Sequence, residues 1–172
     1  MKAKLTIEGK EFEVEISEEQ AKALTETKKK TKKKTGYERV KKGEDYYIQL
    51  FDGTAQTRTA CDVFSYDHKY ESAYCYADRT VAENNARADK LYRQLRRFAV
   101  EHREKELDWN DKKTDKWFIT FDTETSAIIT VYHQIFKGFS IIYFDSEETT
   151  QLAIDTFKDE LLWYFTEYKD SL

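Results

Sequence analysis

The chain has 172 residues, room for one ordinary domain or for one domain with a small appendage. Charged residues make up 36% and mean hydropathy is -0.84, but 11 Phe, 12 Tyr and 3 Trp supply enough large apolar surface for a core, which excludes a disordered chain. With no Pro and five Gly, fibrous and low-complexity architectures are excluded too, and the net charge of -4 hides an asymmetry: from Lys28 to Lys42 nine Lys/Arg face Glu38 alone, leaving 20 basic and 32 acidic residues elsewhere.

The first 27 residues read as a small ββα appendage. "KLTI" and "EFEVEI" alternate apolar and polar residues around Gly9, the pattern of a hairpin. Ser17-Glu18-Glu19-Gln20 forms a capping box, so a helix of about ten residues should follow through Ala21 and Leu24. Such a piece is too small to bury a core alone. Residues 28–36 then form a Lys-rich linker. Lys28, Lys29, Lys30, Lys32, Lys33 and Lys34 repel one another and read as a solvated tether; the alternative is an arm on nucleic-acid phosphates, though no aromatic residue is interleaved for base stacking.

From residue 37 the chain reads as an internal repeat of two βββα units, 37–107 and 108–172. In the first, "DYYIQLF" turns at Asp52-Gly53 into "TAQTRTA". A third strand near "SAYCY" leads into a helix capped by Asp78 or Thr80 and running to about Glu104. In the second, "KWFITF" turns through Thr123 to Ser126 into "AIITVYH", and "FSIIYF" leads into a helix capped by Asp145 or Ser146. Leu152, Ala153, Phe157, Leu161 and Leu162 form its apolar face, and Trp109 is expected at the junction of the halves. The expected fold class is α+β, antiparallel sheets with helices covering one face.

No phosphate-binding loop, dinucleotide fingerprint, zinc-protease helix, nucleophile elbow or paired CxxC is present. Catalytic residues, cofactors and a metal are therefore not expected, and the protein is read as a non-enzyme. Cys61 and Cys75 read as reduced, partly buried thiols; a disulfide between them, or a metal site with His68, has no supporting spacing. His133 ends a strand and His102 sits near a helix C-terminus. The helix after Asp78 carries a basic face, and Arg93, Arg96 and Arg97 with the six lysines are the candidate nucleic-acid contacts. Residues 104–172 hold 7 Lys against 15 Asp/Glu. There Glu147, Glu148, Asp159, Glu160 and Glu167 lie among Tyr164 and Tyr168, a composition suited to binding a basic protein surface.

The segments "KLTIEGKEFEVEISEEQ", "GYERVKKGEDYYIQ", "KWFITFD" and "IIYFDSEETTQLAID" resemble, in order, small proteins of phages and mobile elements of Gram-positive bacteria. The resemblance implies a place in the bacterial cytoplasm, and some small acidic phage proteins of similar build look like anti-CRISPR proteins. Its implication is a phage-encoded inhibitor that binds an RNA-guided nuclease of a type II system, or its guide-RNA complex, stoichiometrically and blocks nucleic-acid engagement. The alternative is a nucleic-acid-binding accessory protein. No signal peptide or bilayer-spanning apolar run is evident.

Overall fold

A computed structural model describes residues 2–7, 10–22, 34–61 and 63–168, in two compact units, Met1–Thr35 and Gly36–Leu172. In the first, β1 (Lys2–Ile7) and β2 (Lys10–Glu15) pair antiparallel, closing at Ile7↔Lys10. The capping box forms as expected: Gln20 N donates to Ser17 Oγ at 3.2 Å, and Ser17 N donates to Gln20 Oε1 at 3.0 Å. Residues 18–22 are helical; the rest of the expected helix, and Lys28 to Lys33, lie outside the described residues.

The second unit opens on a glycine that only glycine can replace easily. Gly36 has φ +86°, and a Cβ there would meet Val81 Cγ2 at 2.6 Å while its carbonyl accepts from Ala77 N at 2.7 Å. Its first sheet has the order β4-β3-β5, all antiparallel, from β3 (Asp45–Gln49), β4 (Ala55–Thr59) and β5 (Cys75–Tyr76). The expected strand through Phe51 stops at Gln49, because Leu50 N bonds Thr54 O at 2.7 Å and gives Leu50 to Thr54 to the turn.

A helix not expected from the sequence, α1 (Val63–Glu71), stands between β4 and β5. Its pattern is poorly amphipathic; what fixes it is tertiary, with Tyr70 packed on the cluster of Tyr46, Ala60 and Cys75. Ala73 (φ 52°) then reverses the chain, so only Cys75 and Tyr76 remain for the third strand.

Asp78 caps α2 (Arg79–Glu101), accepting from Val81 N at 3.0 Å. At 1.5 Å per residue its 23 residues span about 35 Å. Val81 and Ala82 pack with Tyr76, Tyr47 and Ala55 of the first sheet. Leu91, Leu95, Phe98 and Ala99 pack with Phe144, Ala153, Ile154 and Leu161 of the second half. A polar chain running from the core to the surface fastens the first sheet to it: Tyr76 Oη donates to Gln49 Oε1 (2.7 Å) and Gln49 Nε2 to Asp89 Oδ2 (2.6 Å), and burial pushes the Tyr76 phenol above its ordinary pKa.

The second sheet pairs β6 (Lys116–Asp122) with β7 (Ala127–His133) from Lys116↔His133 to Asp122↔Ala127. The third strand expected over "FSIIYF" shrinks to one bridge, Trp117↔Phe144. The Tyr143 hydroxyl explains this, accepting from Gly138 N at 2.7 Å and donating to Phe136 O at 3.4 Å, which folds residues 136–143 back on themselves. Ser146 caps α3 (Glu147–Thr156), which breaks at Phe157 before α4 (Lys158–Thr166). The fold is α+β. Neither half is a plain run of three strands and a helix: the first inserts α1, and the second keeps a bridge and splits its helix.

Trp109 does not sit at the junction of the halves. It meets the Tyr143 ring edge-on at 4.9 Å, with the ammoniums of Lys116 and Lys137 at 5.6 and 5.1 Å. Lys116 is 0% exposed, and its Nζ donates to the carbonyls of Asp111 (2.5 Å), Thr114 (2.9 Å) and Gln134 (3.3 Å). That ammonium stitches the 111–114 loop to the end of β7.

Gly36→Ala is expected to cost about 2 kcal/mol, from left-handed strain and the Val81 contact, lowering the thermal midpoint by several degrees without changing circular dichroism at room temperature. At the β6–β7 turn, Thr125 Oγ1 and Glu124 N both donate to Asp122, which holds its carboxyl below the usual carboxylate range. The folded turn thus binds fewer protons than the unfolded chain. Its contribution is present above about pH 4 and fades as pH falls through the lower folded value. Asp122→Ala should flatten the dependence of melting temperature on pH in that acid range.

Candidate functional site

The candidate carboxylates lie mostly at helix starts. Glu147 and Glu148 occupy the first turn of α3, and Asp159 and Glu160 that of α4, where a helix carries its partial positive charge. α4 has no side-chain cap, so its own carboxylates supply the favourable electrostatics that Ser146 Oγ, accepting from Thr149 N at 3.1 Å, gives to α3. These groups have a structural reason to be acidic before any partner is considered.

Glu160 is committed internally. Arg87 donates to it with Nε at 2.8 Å and Nη2 at 3.2 Å, and the same guanidinium lies 3.9 Å over the Trp163 ring, which is 8% exposed. The arginine clamps α4 onto α2. Tyr168 is also engaged: its hydroxyl donates to Asn85 Oδ1 at 3.0 Å, and its ring stacks on Tyr164 at 5.2 Å. Tyr164 remains 39% exposed.

What does reach solvent is a stripe across both helices. Glu148, Leu152, Asp155, Asp159 and Leu162 follow at steps of four, three, four and three residues, and all are exposed. Leu152 and Leu162 were expected in the core, yet are 49% and 45% exposed; Ala153, Ile154, Leu161 and Trp163 take the buried positions. The spacing of Glu148, Asp155 and Asp159 around the two leucines was the available signal, masked by reading every leucine as inward. Glu167 is exposed just past α4. A cavity of about 470 Å³ opens between Leu91, Leu95, Ile142, Phe144, Leu161 and Phe165, and none of the five stripe residues lines it.

The basic alternatives Arg93, Arg96 and Arg97 share one exposed face of α2, and two of them are engaged within the chain. Arg93 Nη2 donates to Phe51 O at 2.8 Å, Arg97 pairs with Glu101 at 3.6 Å, and Arg96 is exposed. Lys34 is exposed, and the other five lysines lie outside the described residues. Cys61 is an exposed free thiol and Cys75 a buried one, so no disulfide joins them. His68 is exposed on α1, His102 Nδ1 lies 3.0 Å from Phe98 O, and His133 stacks on Phe118. Among the described residues no group of three or more His, Cys, Asp or Glu is placed to hold a metal. No described helix is long and apolar enough to cross a membrane.

A scan of protein-family models and searches of curated proteins and of solved structures all return no match.

Arg87→Lys keeps the charge but loses the forked bond and the stacking on Trp163. It should destabilise the protein by about 1 kcal/mol, most of it through lost packing because the pair is partly solvated. Urea denaturation followed by tryptophan fluorescence measures this.

Proposed function

We propose that the chain is a non-catalytic binding protein that engages a basic, nucleic-acid-handling partner through the helical face of α3 and α4. The observation that carries this reading is the exposed stripe of Glu148, Asp155 and Asp159 around Leu152 and Leu162. Interfaces commonly combine apolar anchors with complementary charge, and the carboxylates steer encounter while the leucines supply desolvated contact. The partner class follows from the charge and from the resemblance to small phage proteins: an RNA-guided host defence nuclease, whose phosphate-binding cleft the carboxylates would occupy in place of nucleic acid.

The test is inhibition of a type II effector–guide complex, read as target-DNA binding and cleavage. The wild-type chain is expected to inhibit at one-to-one stoichiometry. Glu148→Lys, Asp155→Lys and Asp159→Lys together should slow association by about tenfold or more at low salt, with less difference at high salt. Replacing the six lysines of residues 28–34 with Gln should change inhibition little. Intact inhibition after the triple reversal, or its loss after lysine replacement, overturns the reading. Retention of free duplex or RNA by the wild-type chain with a steep salt slope would favour a nucleic-acid-binding accessory protein instead.

A further inference from the structure

The backbone groups on the outer side of β7 are unaccounted for by its own sheet. Trp117 N donates to Phe144 O at 3.1 Å and Phe144 N to Trp117 O at 2.8 Å, so both polar groups of Trp117 point away from β7. Trp117↔Tyr132 is therefore a pair without mutual backbone bonds, and by alternation so are Ile119↔Thr130 and Phe121↔Ile128. The N–H and C=O groups of Ile128, Thr130 and Tyr132 consequently face outward. Among the described residues no strand pairs with that edge.

Edge strands are normally guarded by charge, proline or a bulge. β4, the outer strand of the first sheet, carries Arg58 among Gln and Thr. β7 reads AIITVYH, with no proline, glycine or formal charge. Chemistry differs on its two faces. On the helix side Thr130 Oγ1 meets Glu147 Oε1 at 3.5 Å, and Glu147 is exposed with no Lys or Arg paired to it among the described residues. On the other side Ile129 is 37% exposed, and the chain continues into Ile135 and Phe136, 60% and 65% exposed.

A strand laid on this edge would set alternate side chains beside Glu147 and beside Ile129 and Val131. A second copy of β7 could match the backbone but would bring two Glu147 carboxylates together about a two-fold axis through the Thr130 pair. We infer that the free edge of β7 is a docking strand for an extended segment of the partner, with Lys or Arg on one face and aliphatic residues on the other. The chemistry of this occupant rests on the acidic-face reading; the docking mode does not.

The probe is an acetylated, amidated peptide of about nine residues alternating Lys and Val, with an N-methylated version at alternate amides as control. The readout is amide hydrogen exchange of the full chain by NMR. In the free protein the amides of Ile128, Thr130 and Tyr132 should exchange faster than those of Ile129 and Val131. With peptide their protection should rise about tenfold or more. The N-methylated peptide should not protect them, and Glu147→Lys should weaken the plain peptide about tenfold. No binding overturns the inference, as does binding without edge protection, which leaves the acidic-face reading intact. Protection already present in the free protein, with a dimer in sedimentation, assigns the edge to a second copy and also overturns it. Edge protection by the peptide, together with an effector indifferent to reversal of Glu148, Asp155 and Asp159, sinks the acidic-face reading and leaves the docking strand standing.

Discussion

One helix has to serve two sheets. Neither the β4-β3-β5 sheet nor the β6–β7 hairpin is large enough to close a core with its own residues, and α2 supplies the missing surface to both. Small residues, Ala82 and Ala86, let its N-terminal half come close to the first sheet; Leu91, Leu95 and Phe98 fill the wider space farther along. The change from alanine to large side chains along a single apolar stripe thus records the change of partner. Asp78 sets the start of that helix, and Gly36 allows the chain to pass close to it.

The acidic face follows from the same arrangement. With α2 occupied along its length, α3 and α4 can bury only one side each, through Ala153, Ile154, Leu161 and Trp163. Phe157 breaks the helix and packs edge-on against Phe98 at 5.6 Å, while Arg87 holds the second segment through Glu160 and Trp163. The break creates a second helix start and so a second place where carboxylates stabilise the helix. The two helix starts thereby concentrate carboxylates on α3 and α4, where the same packing leaves Leu152 and Leu162 exposed.

Features legible in the sequence were those set by neighbouring residues. The Asp52-Gly53 and Thr123–Ser126 turns, the Ser17–Gln20 box and the Asp78 and Ser146 caps each depend on a few adjacent side chains, and all are seen. What was not legible depends on partners far along the chain. α1 is held by Tyr70 against Tyr46 and Cys75, and the third strand of the second half is undone by the Tyr143 hydroxyl. Glu160 looked like its neighbour Asp159 until Arg87, 73 residues earlier, was found on it. Leu152 and Leu162 looked buried because hydropathy carries no direction when a helix breaks between them.

Lys116 has a consequence for chemical footprinting. Its amine is wholly enclosed by carbonyls of residues 111, 114 and 134, while the exposed lysines are reached by solvent. An amine-reactive reagent therefore modifies Lys116 only when the 111–114 loop lifts from the end of β7, and the yield at that one position counts openings of that loop. The chain carries its own internal clock for local unfolding, readable by mass spectrometry without any inserted label.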